Sequence, residues 1–355
     1  MKFKNQILYF VAILSVALMT FSCTNDETKT VVKLPSIVEI AKADPANFSI
    51  LVDALNKTSL TASLSNPGSY TVFAPTNAAF TAAGVTSASI NALDPVVDAQ
   101  KILDLKLSLQ NHIIGVGTRS ADLVATASFK TFGFYKSAAA AFSGTANLNM
   151  TISKVGSDIV INAGATNGGA KITTVDIEAN NGIVHVIDNV LKLPTLVNQI
   201  VSNPSLSSLL GVVSTPAQAS VLTTLTNATG SAAITVYAPN NDAFTAALGT
   251  GGSLVGKTDA QVTNILNYHL QRSNNTASSA SSYTSSSAFA DVTVNTLFAV
   301  SPATTPASFR AFKITKGTVK ITDLVTPVVN GNIKVINIQA TNGVIQIIDK
   351  VLQPF

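Results

Sequence analysis

The hydrophobic positions of the chain form two patterns, and both occur in the same order in each half. An apolar stripe with helical spacing opens each half and predicts an amphipathic helix. Short runs rich in β-branched residues follow and predict strands. Helices before strands predict an α+β fold built on antiparallel strands. The helical stripes are Phe48, Leu51, Val52, Leu55 and Leu60 in the first half, and Leu196, Ile200, Leu206, Leu209 and Leu210 in the second.

Two short motifs occur once in each half, which indicates a tandem duplication of one domain. TVFAPTNAAF at Thr71–Phe80 corresponds to TVYAPNNDAF at Thr235–Phe244. NGIVHVIDNVL at Asn181–Leu191 corresponds to NGVIQIIDKVL at Asn342–Leu352. The spacing between the two motifs is nearly the same in both halves, and it is far longer than a solenoid repeat.

Polar residues within the motifs predict where helices and turns begin. Asn77 and Asn241 follow an Ala-Pro strand end and are predicted helix N-caps. Asn181-Gly182 and Asn342-Gly343 are predicted tight hairpin turns, because Asn-Gly favours a positive φ at both positions.

The two motifs and the helix between them resemble the fasciclin domain family. In the family that helix ends in Tyr-His, and the corresponding pairs here are Asn111-His112 and Tyr268-His269. The chain departs from the family pattern at Asn111, Asn240 and Gln346. The matching positions are Thr71, Phe73, Pro75, Asn77, Phe80, His112, Asn181, Gly182 and Asp188 in the first copy, and Thr235, Tyr237, Pro239, Asn241, Phe244, His269, Asn342, Gly343 and Asp349 in the second.

The resemblance implies two tandem fasciclin-like domains, at residues 33–194 and 195–355, each a wedge of antiparallel strands flanked by helices. It implies that the matching positions serve the fold. It also implies adhesion or matrix interaction as the function, with no shared catalytic machinery. The implied partner is a protein or glycan of a cell surface or matrix.

The N-terminus has the layout of an export signal. Residues 1–22 combine a basic start with an apolar run and predict a signal peptide. The run is shorter than the roughly 20 residues of a membrane span, which disfavours a permanent membrane helix. Cys23, after a small residue, resembles the lipobox of bacterial lipoproteins, and the acidic residues behind it resemble Bacteroidetes export signals. An ordinary secretory leader is the alternative, since Thr20 stands where the lipobox usually has Leu.

The predicted mature protein is therefore a lipoprotein with Cys23 as its lipid-attachment residue and residues 23–32 as a tether. The predicted location is the outer membrane, facing the cell surface, with the periplasmic face as the alternative. Membrane contact is expected through the lipid only.

Composition excludes several functional classes. Charged residues make up 11% of the chain, about half the usual share, and the formal net charge is +4, so a nucleic-acid binder is not expected. The single cysteine excludes intramolecular disulfides and multi-cysteine zinc sites. No metal and no cofactor are expected.

One segment matches a nucleotide-binding pattern. Gly251–Thr258 has the spacing of a phosphate-binding loop, but it follows what reads as the end of a helix, whereas such a loop must follow a buried strand. The first copy has nothing comparable. No nucleotide binding is predicted.

The histidines and two recurring aspartates are the remaining candidates for chemistry. His112 and His269 lie on apolar helix stripes, which favours core histidines bonded to the backbone over metal ligands or bases. His185 is replaced by Gln346 in the second copy, so a duty shared by both copies cannot depend on it. Asp188 and Asp349 favour hydrogen bonds to a neighbouring loop over acid catalysis. No catalytic residue is predicted.

The leading hypothesis is a non-catalytic adhesion protein. The alternative is a cell-envelope module that captures polysaccharide or small ligands beside a nutrient uptake system. The Ser-rich stretch 273–287 is predicted to be a mobile surface loop, or a contact for glycans or protein through Tyr283. The ligand-binding residues are not identified by the sequence.

Overall fold

The computed structural model describes residues 33–354 apart from 127, 136–145, 229–232, 251–253, 273–291, 302–307, 316–319 and 325–329. The predicted signal peptide, Cys23, the tether and the Ser-rich stretch with Tyr283 lie outside the described residues. From Leu34 onward the chain forms one compact body.

The first half, domain 1, opens with helices and closes with strands, as predicted. Its helices are α1 (Ile37–Ala43), α2 (Pro45–Lys57), α3 (Leu60–Ser65), α4 (Asn77–Ala82), α5 (Ser87–Asn91), α6 (Ala99–Gln110) and α7 (Ser120–Thr126). Its strands are β1 (Tyr70–Pro75), β2 (Ile113–Ile114), β3 (Ser128–Tyr135), β4 (Ala146–Val155), β5 (Asp158–Ile161), β6 (Ala170–Ala179) and β7 (Gly182–Ile187). A short 3-10 helix, Ala165–Asn167, lies between β5 and β6.

The second half, domain 2, repeats this order. Its helices are α8 (Leu196–Ser202), α9 (Ser207–Val213), α10 (Ala219–Thr226), α11 (Asn241–Leu248) and α12 (Asp259–Tyr268), with 3-10 turns at Pro204–Leu206 and Pro216–Gln218. Its strands are β8 (Ile234–Pro239), β9 (Leu270–Arg272), β10 (Val292–Ser301), β11 (Ser308–Thr315), β12 (Lys320–Asp323), β13 (Asn330–Ala340) and β14 (Gly343–Ile348).

Each domain folds its strands into one sheet. In domain 1 the strands close a barrel in the order β1 to β7, and in domain 2 the order is β10-β11-β12-β13-β14-β8-β9. The predicted α+β class, with two tandem domains of strands flanked by helices, is confirmed.

One pairing differs from the antiparallel arrangement that the sequence predicts. The strands of the two motifs lie side by side and run parallel, β1 with β7 and β8 with β14. A parallel pair needs a long connection, and here nearly the whole domain lies between the partners.

The opening helical stripe is not one helix. In domain 1 it is divided between α2 and α3, with Ser59 at φ +59° between them. In domain 2 Pro204 begins a new 3-10 turn after α8, because proline has no N–H to continue the preceding helix.

Each domain buries its own core in two parts. In domain 1 one part packs the helices on the sheet and includes Leu51 and Phe80, and the other fills the barrel around Phe73 and Met150. Domain 2 has the same division. The two domains therefore have separate cores, and they contact each other through surface residues.

Candidate interaction surface and the signature motifs

The first motif fixes a strand and the helix that follows it. Phe73 and Tyr237 are fully buried inside their sheets, while Phe80 and Phe244 are buried under the helices. The other strand positions are enclosed as well: Thr71 and Thr235 are buried, and Pro75 and Pro239 end the two strands.

The predicted N-caps are wrong by one residue. Thr76 and Asn240 cap the helices, accepting from the N–H three residues on at 3.2 and 2.9 Å. Asn77 and Asn241 are the first helical residues instead. The Asn77 amide joins two helices, since its Oδ1 accepts from the N–H of Ile50 at 2.9 Å. This asparagine therefore serves helix packing.

The second motif forms a hairpin, but its turn differs from the prediction. Ala179 pairs with Gly182, so Asn180 and Asn181 form the turn and Gly182 begins β7. Of the motif residues only Gly182 has a positive φ, at +155°. The predicted positive φ at both Asn and Gly is therefore wrong, and the glycines have another role, which is the close approach of a neighbouring strand.

Asn181 and Asn342 are buried and tie each hairpin to the opening helices. Asn181 Oδ1 accepts from the N–H of Ile37 at 3.0 Å, and its Nδ2 donates to the carbonyl of Leu64. Asn342 Oδ1 accepts from the N–H of Leu196 at 2.7 Å. The amide thus satisfies backbone groups at helix ends, which have no partner within the helix.

His112 and His269 have the same surroundings in both copies. Nδ1 donates to the carbonyl of Ser108 or Ile265, at 2.7 Å in each case. Nε2 accepts the N–H of the Leu that ends the second motif, at 2.9 Å for His112 and 3.0 Å for His269. Burial lowers the pKa of both histidines to about 4. Both ring nitrogens are occupied by backbone groups, so neither ring is placed to bind a metal.

His185 and Gln346 perform the same task with different chemistry. His185 Nδ1 accepts the N–H of Asp176 at 3.2 Å, and Gln346 Oε1 accepts the N–H of Asn337 at 2.9 Å. Asp176 and Asn337 are bulge residues with φ of +60° and +56°. Either side chain therefore satisfies a bulge N–H, which explains how the two copies differ without losing the fold.

Asp188 and Asp349 follow the last strand of each domain. Their Oδ1 atoms accept backbone N–H groups of the antiparallel neighbour, from Lys171 at 2.8 Å and from Asn332 at 2.7 Å. The partner is therefore a strand, where the sequence favoured a loop. Asp188 is exposed, so it is not a buried carboxylate.

The nucleotide-binding pattern lies between two helices. Gly251 to Ser253 lie outside the described residues, and α11 precedes them. Thr258 caps α12, and its hydroxyl accepts the N–H of Gln261 at 3.3 Å. The preceding element is a helix, as the sequence predicted.

The described residues contain no group of three or more His, Cys, Asp or Glu side chains that could hold a metal ion. None of the described helices has the length and apolar character that crossing a membrane requires.

The turn Asp94–Asp98 presents two apolar side chains to solvent and is called the valine turn below. Val96 and Val97 are 86% and 84% exposed. Asp94 Oδ1 accepts both of their N–H groups, at 2.7 and 2.9 Å, which lowers the pKa of Asp94. Asp98 Oδ2 in turn accepts the N–H of Asp94 at 3.0 Å. These bonds fix the turn in one shape.

A second apolar patch lies at the start of β1. The rings of Tyr70 and Phe132 meet edge to face, with centroids 5.9 Å apart, and Phe132 is 37% exposed. Val116, which follows β2 in the chain, is also exposed.

The geometry defines a tandem pair of α+β domains, each with its two motif strands paired in parallel. The fasciclin domain family matches residues 46–194 and 204–354, so the chain belongs to the fasciclin domain family.

Two proteins of Synechocystis sp. are similar to parts of the chain. Uncharacterized protein sll1735 is 35% identical over 160 residues, which are 44% of this chain and 98% of that protein. Protein sll1483 is 28% identical over 159 residues, which are 45% of this chain and 74% of that protein. A solved FAS1 domain pair from the insect cell adhesion molecule fasciclin I is also similar. The match covers 89% of this chain and 95% of the solved chain, at 18% sequence identity and a TM-score of 0.47.

Proposed function

We propose that the protein is a non-catalytic adhesion protein of the bacterial cell surface, held in the outer membrane by a lipid on Cys23. Membership of the fasciclin family in both halves carries the proposal, since the family is of the adhesion type. The partner is a protein of another cell or of the matrix.

The valine turn supports a protein partner. When a partner removes largely exposed aliphatic side chains from water, the free energy of the complex is lowered. Because hydrogen bonds already fix the turn, binding loses little conformational entropy there. Asp94 and Asp98 flank the valines, so a matching pocket is apolar with a basic rim.

Ligand capture is the second candidate, and the Tyr70–Phe132 patch is the observation that favours it, because aromatic rings can stack on sugars. Two internal cavities of the described residues favour it less. They measure about 20 Å³ beside His112 and about 10 Å³ beside His269, enough for roughly one water molecule each. Neither of these two cavities has room for a captured ligand, so the Tyr70–Phe132 patch is the site proposed for capture.

A bead assay tests adhesion and the valine turn together. Beads coated with the mature chain are expected to attach to cells of the producing strain or to their deposited matrix. The double variant Val96→Ser, Val97→Ser should lower attachment by at least about tenfold, as loss of a buried anchor does. Val155→Ser, which changes a valine at the end of β4 that is 62% exposed, is the matched control and should attach normally.

Two results would contradict adhesion through this turn. One is equal attachment of the double variant and the wild-type chain. The other is no attachment at all, combined with retardation of the chain on soluble glycans that Phe132→Ser abolishes. That second result would establish capture in place of adhesion.

The location is tested by protease shaving of intact cells, with immunoblotting for domain 2 and for a periplasmic control protein. Loss of domain 2 while the control survives is the expected result. Protection of domain 2 until the outer membrane is opened would place the protein in the periplasm and exclude adhesion between cells.

A further inference from the structure

Domain 1 and domain 2 meet through polar contacts centred on Asn149 of β4, which is buried. Its Oδ1 accepts from the backbone N–H of Gln339 in β13 at 2.7 Å, and from the Nζ of Lys130 in β3 at 2.7 Å. Its backbone carbonyl accepts from Gln199 Nε2, in α8, at 2.7 Å. One residue of domain 1 therefore receives hydrogen bonds from two elements of domain 2.

Lys130 reaches across the same boundary. Its ammonium donates to the carbonyl of Asn337 in domain 2 at 2.7 Å. The residue as a whole is exposed, but its charged end lies among neutral oxygens of both domains, and burial there lowers the pKa of Lys130 to about 8. At pH 7 the group is still mostly charged, so its hydrogen bonds are of the stronger, charge-assisted kind.

A reciprocal pair of amides forms a second contact. Asn167 Nδ2 donates to the carbonyl of Asn198 at 2.9 Å, and Asn198 Nδ2 donates to Asn167 Oδ1 at 2.9 Å. Asn167 ends the 3-10 helix of domain 1, while Asn198 lies in the first turn of α8. Both contacts lie close to the linker at Pro194. The contacting residues can therefore move only a short distance apart.

The duplication provides an internal comparison for the face that domain 2 contributes. Leu34-Pro35-Ser36 before α1 corresponds to Leu193-Pro194-Thr195 before α8, which places Ile40 at the position of Gln199. The bulges of β6 and β13 likewise place Glu178 at the position of Gln339. At the position of Gln199 the outward face of domain 1 thus has an apolar side chain, whereas Gln339 contributes its backbone N–H to the boundary.

The residues that domain 1 contributes to the boundary do not recur at the corresponding positions of domain 2. Lys130 pairs with Asn149 across β3 and β4, and the corresponding pair across β10 and β11 is Asn295 with Ala311. The register is secure because the buried residues Thr131 and Thr296 occupy the next position in each copy. Neither the lysine nor the asparagine of this pair therefore recurs at the corresponding position of domain 2.

We propose that Lys130, Asn149, Gln199 and Gln339 form a lock that holds the two domains in one orientation, so that the protein presents domain 2 in a fixed direction. Domains joined by a short linker move relative to one another by default, because such interfaces are small and polar. A few hydrogen bonds suffice to oppose that motion here, since the short linker makes the contact intramolecular at high effective concentration.

Distance measurements on the whole chain test the lock. Spin labels are placed at Ala88 in domain 1 and Thr223 in domain 2, both exposed helical residues, in a chain with Cys23→Ser so that labelling is specific. Pulsed electron resonance of the otherwise unchanged chain should give one narrow distance distribution. The double variant Lys130→Asn, Asn149→Ala, which copies the residues of the other repeat, should give a distribution about twofold wider.

Matched variants separate the lock from general loosening. Lys154→Ala changes an exposed lysine on the same strand as Asn149 and should leave the distribution narrow. Gln199→Ile, which copies Ile40, removes a lock residue of domain 2 and should widen the distance distribution. This variant keeps the test available if the double variant fails to fold. A broad distribution in the unchanged chain, or a narrow one in folded chains of both lock variants, would overturn the proposal.

Discussion

Replacing Gly343 with alanine is expected to lower the free energy of unfolding of domain 2 by about 4 kcal/mol. A Cβ at this position would lie 2.1 Å from the carbonyl oxygen of Ile234 and 2.8 Å from Leu196 Cδ1. Gly343 is the first residue of β14 and pairs with Ile234 in β8. Relief of the clash therefore requires the two motif strands to separate. Urea unfolding followed by circular dichroism measures the loss.

Gly211→Ala is the matched control in the same domain. Nothing lies within 4 Å of a Cβ there, and the residue belongs to helix α9, so this change should stabilise domain 2 by about 1 kcal/mol. Gly182→Ala repeats the test in domain 1, where the Cβ would lie 2.0 Å from the carbonyl oxygen of Tyr70. An unfolding midpoint of Gly343→Ala equal to that of the wild-type chain would refute the close approach as the reason for glycine.

These glycines show where sequence reasoning stops. The motif correctly places Gly182 and Gly343 at a hairpin, but the Asn-Gly rule explains them by turn geometry. Their actual neighbours are the carbonyls of Tyr70 and Ile234, which lie more than a hundred residues earlier in the chain. A rule that uses only adjacent residues cannot reveal a parallel partner at that distance.

The sequence predicts the features that occur in both copies of the repeat. The order of helices and strands, the two domains and the family follow from motifs that recur with the same spacing. Helix boundaries are less predictable because they depend on the backbone conformation of single residues. The break between α2 and α3 occurs at Ser59, whose left-handed conformation no local residue pattern requires.

The lock between the domains carries no motif, so the sequence patterns do not predict it. One sequence feature could have indicated it: Gln199 interrupts an apolar helix stripe at a position where the other copy has Ile40. A polar residue at a core-facing helix position needs a partner. The identity of that partner, Asn149, depends on how the two domains pack, which neither copy encodes alone.

Acid is expected to destabilise both domains through His112 and His269. Each histidine has a pKa of about 4 in the folded protein against about 6.5 in an unfolded chain, and burial is the main cause. Between these values the unfolded state binds more protons, so stability rises with pH across the window. The full stability is present above about pH 6.5, and each domain loses about 3 kcal/mol as the pH falls to about 4.

Proton NMR of the imidazole rings measures the cause directly. In the folded chain the His112 and His269 signals should not titrate above pH 5, whereas in the urea-unfolded chain, the control, all histidines should titrate near their ordinary value. Unfolding free energies measured from pH 7 to pH 4.5 should fall in parallel. Folded-state titration of either ring near pH 6.5 would show that burial does not hold the ring neutral, and the acid sensitivity would then need another source.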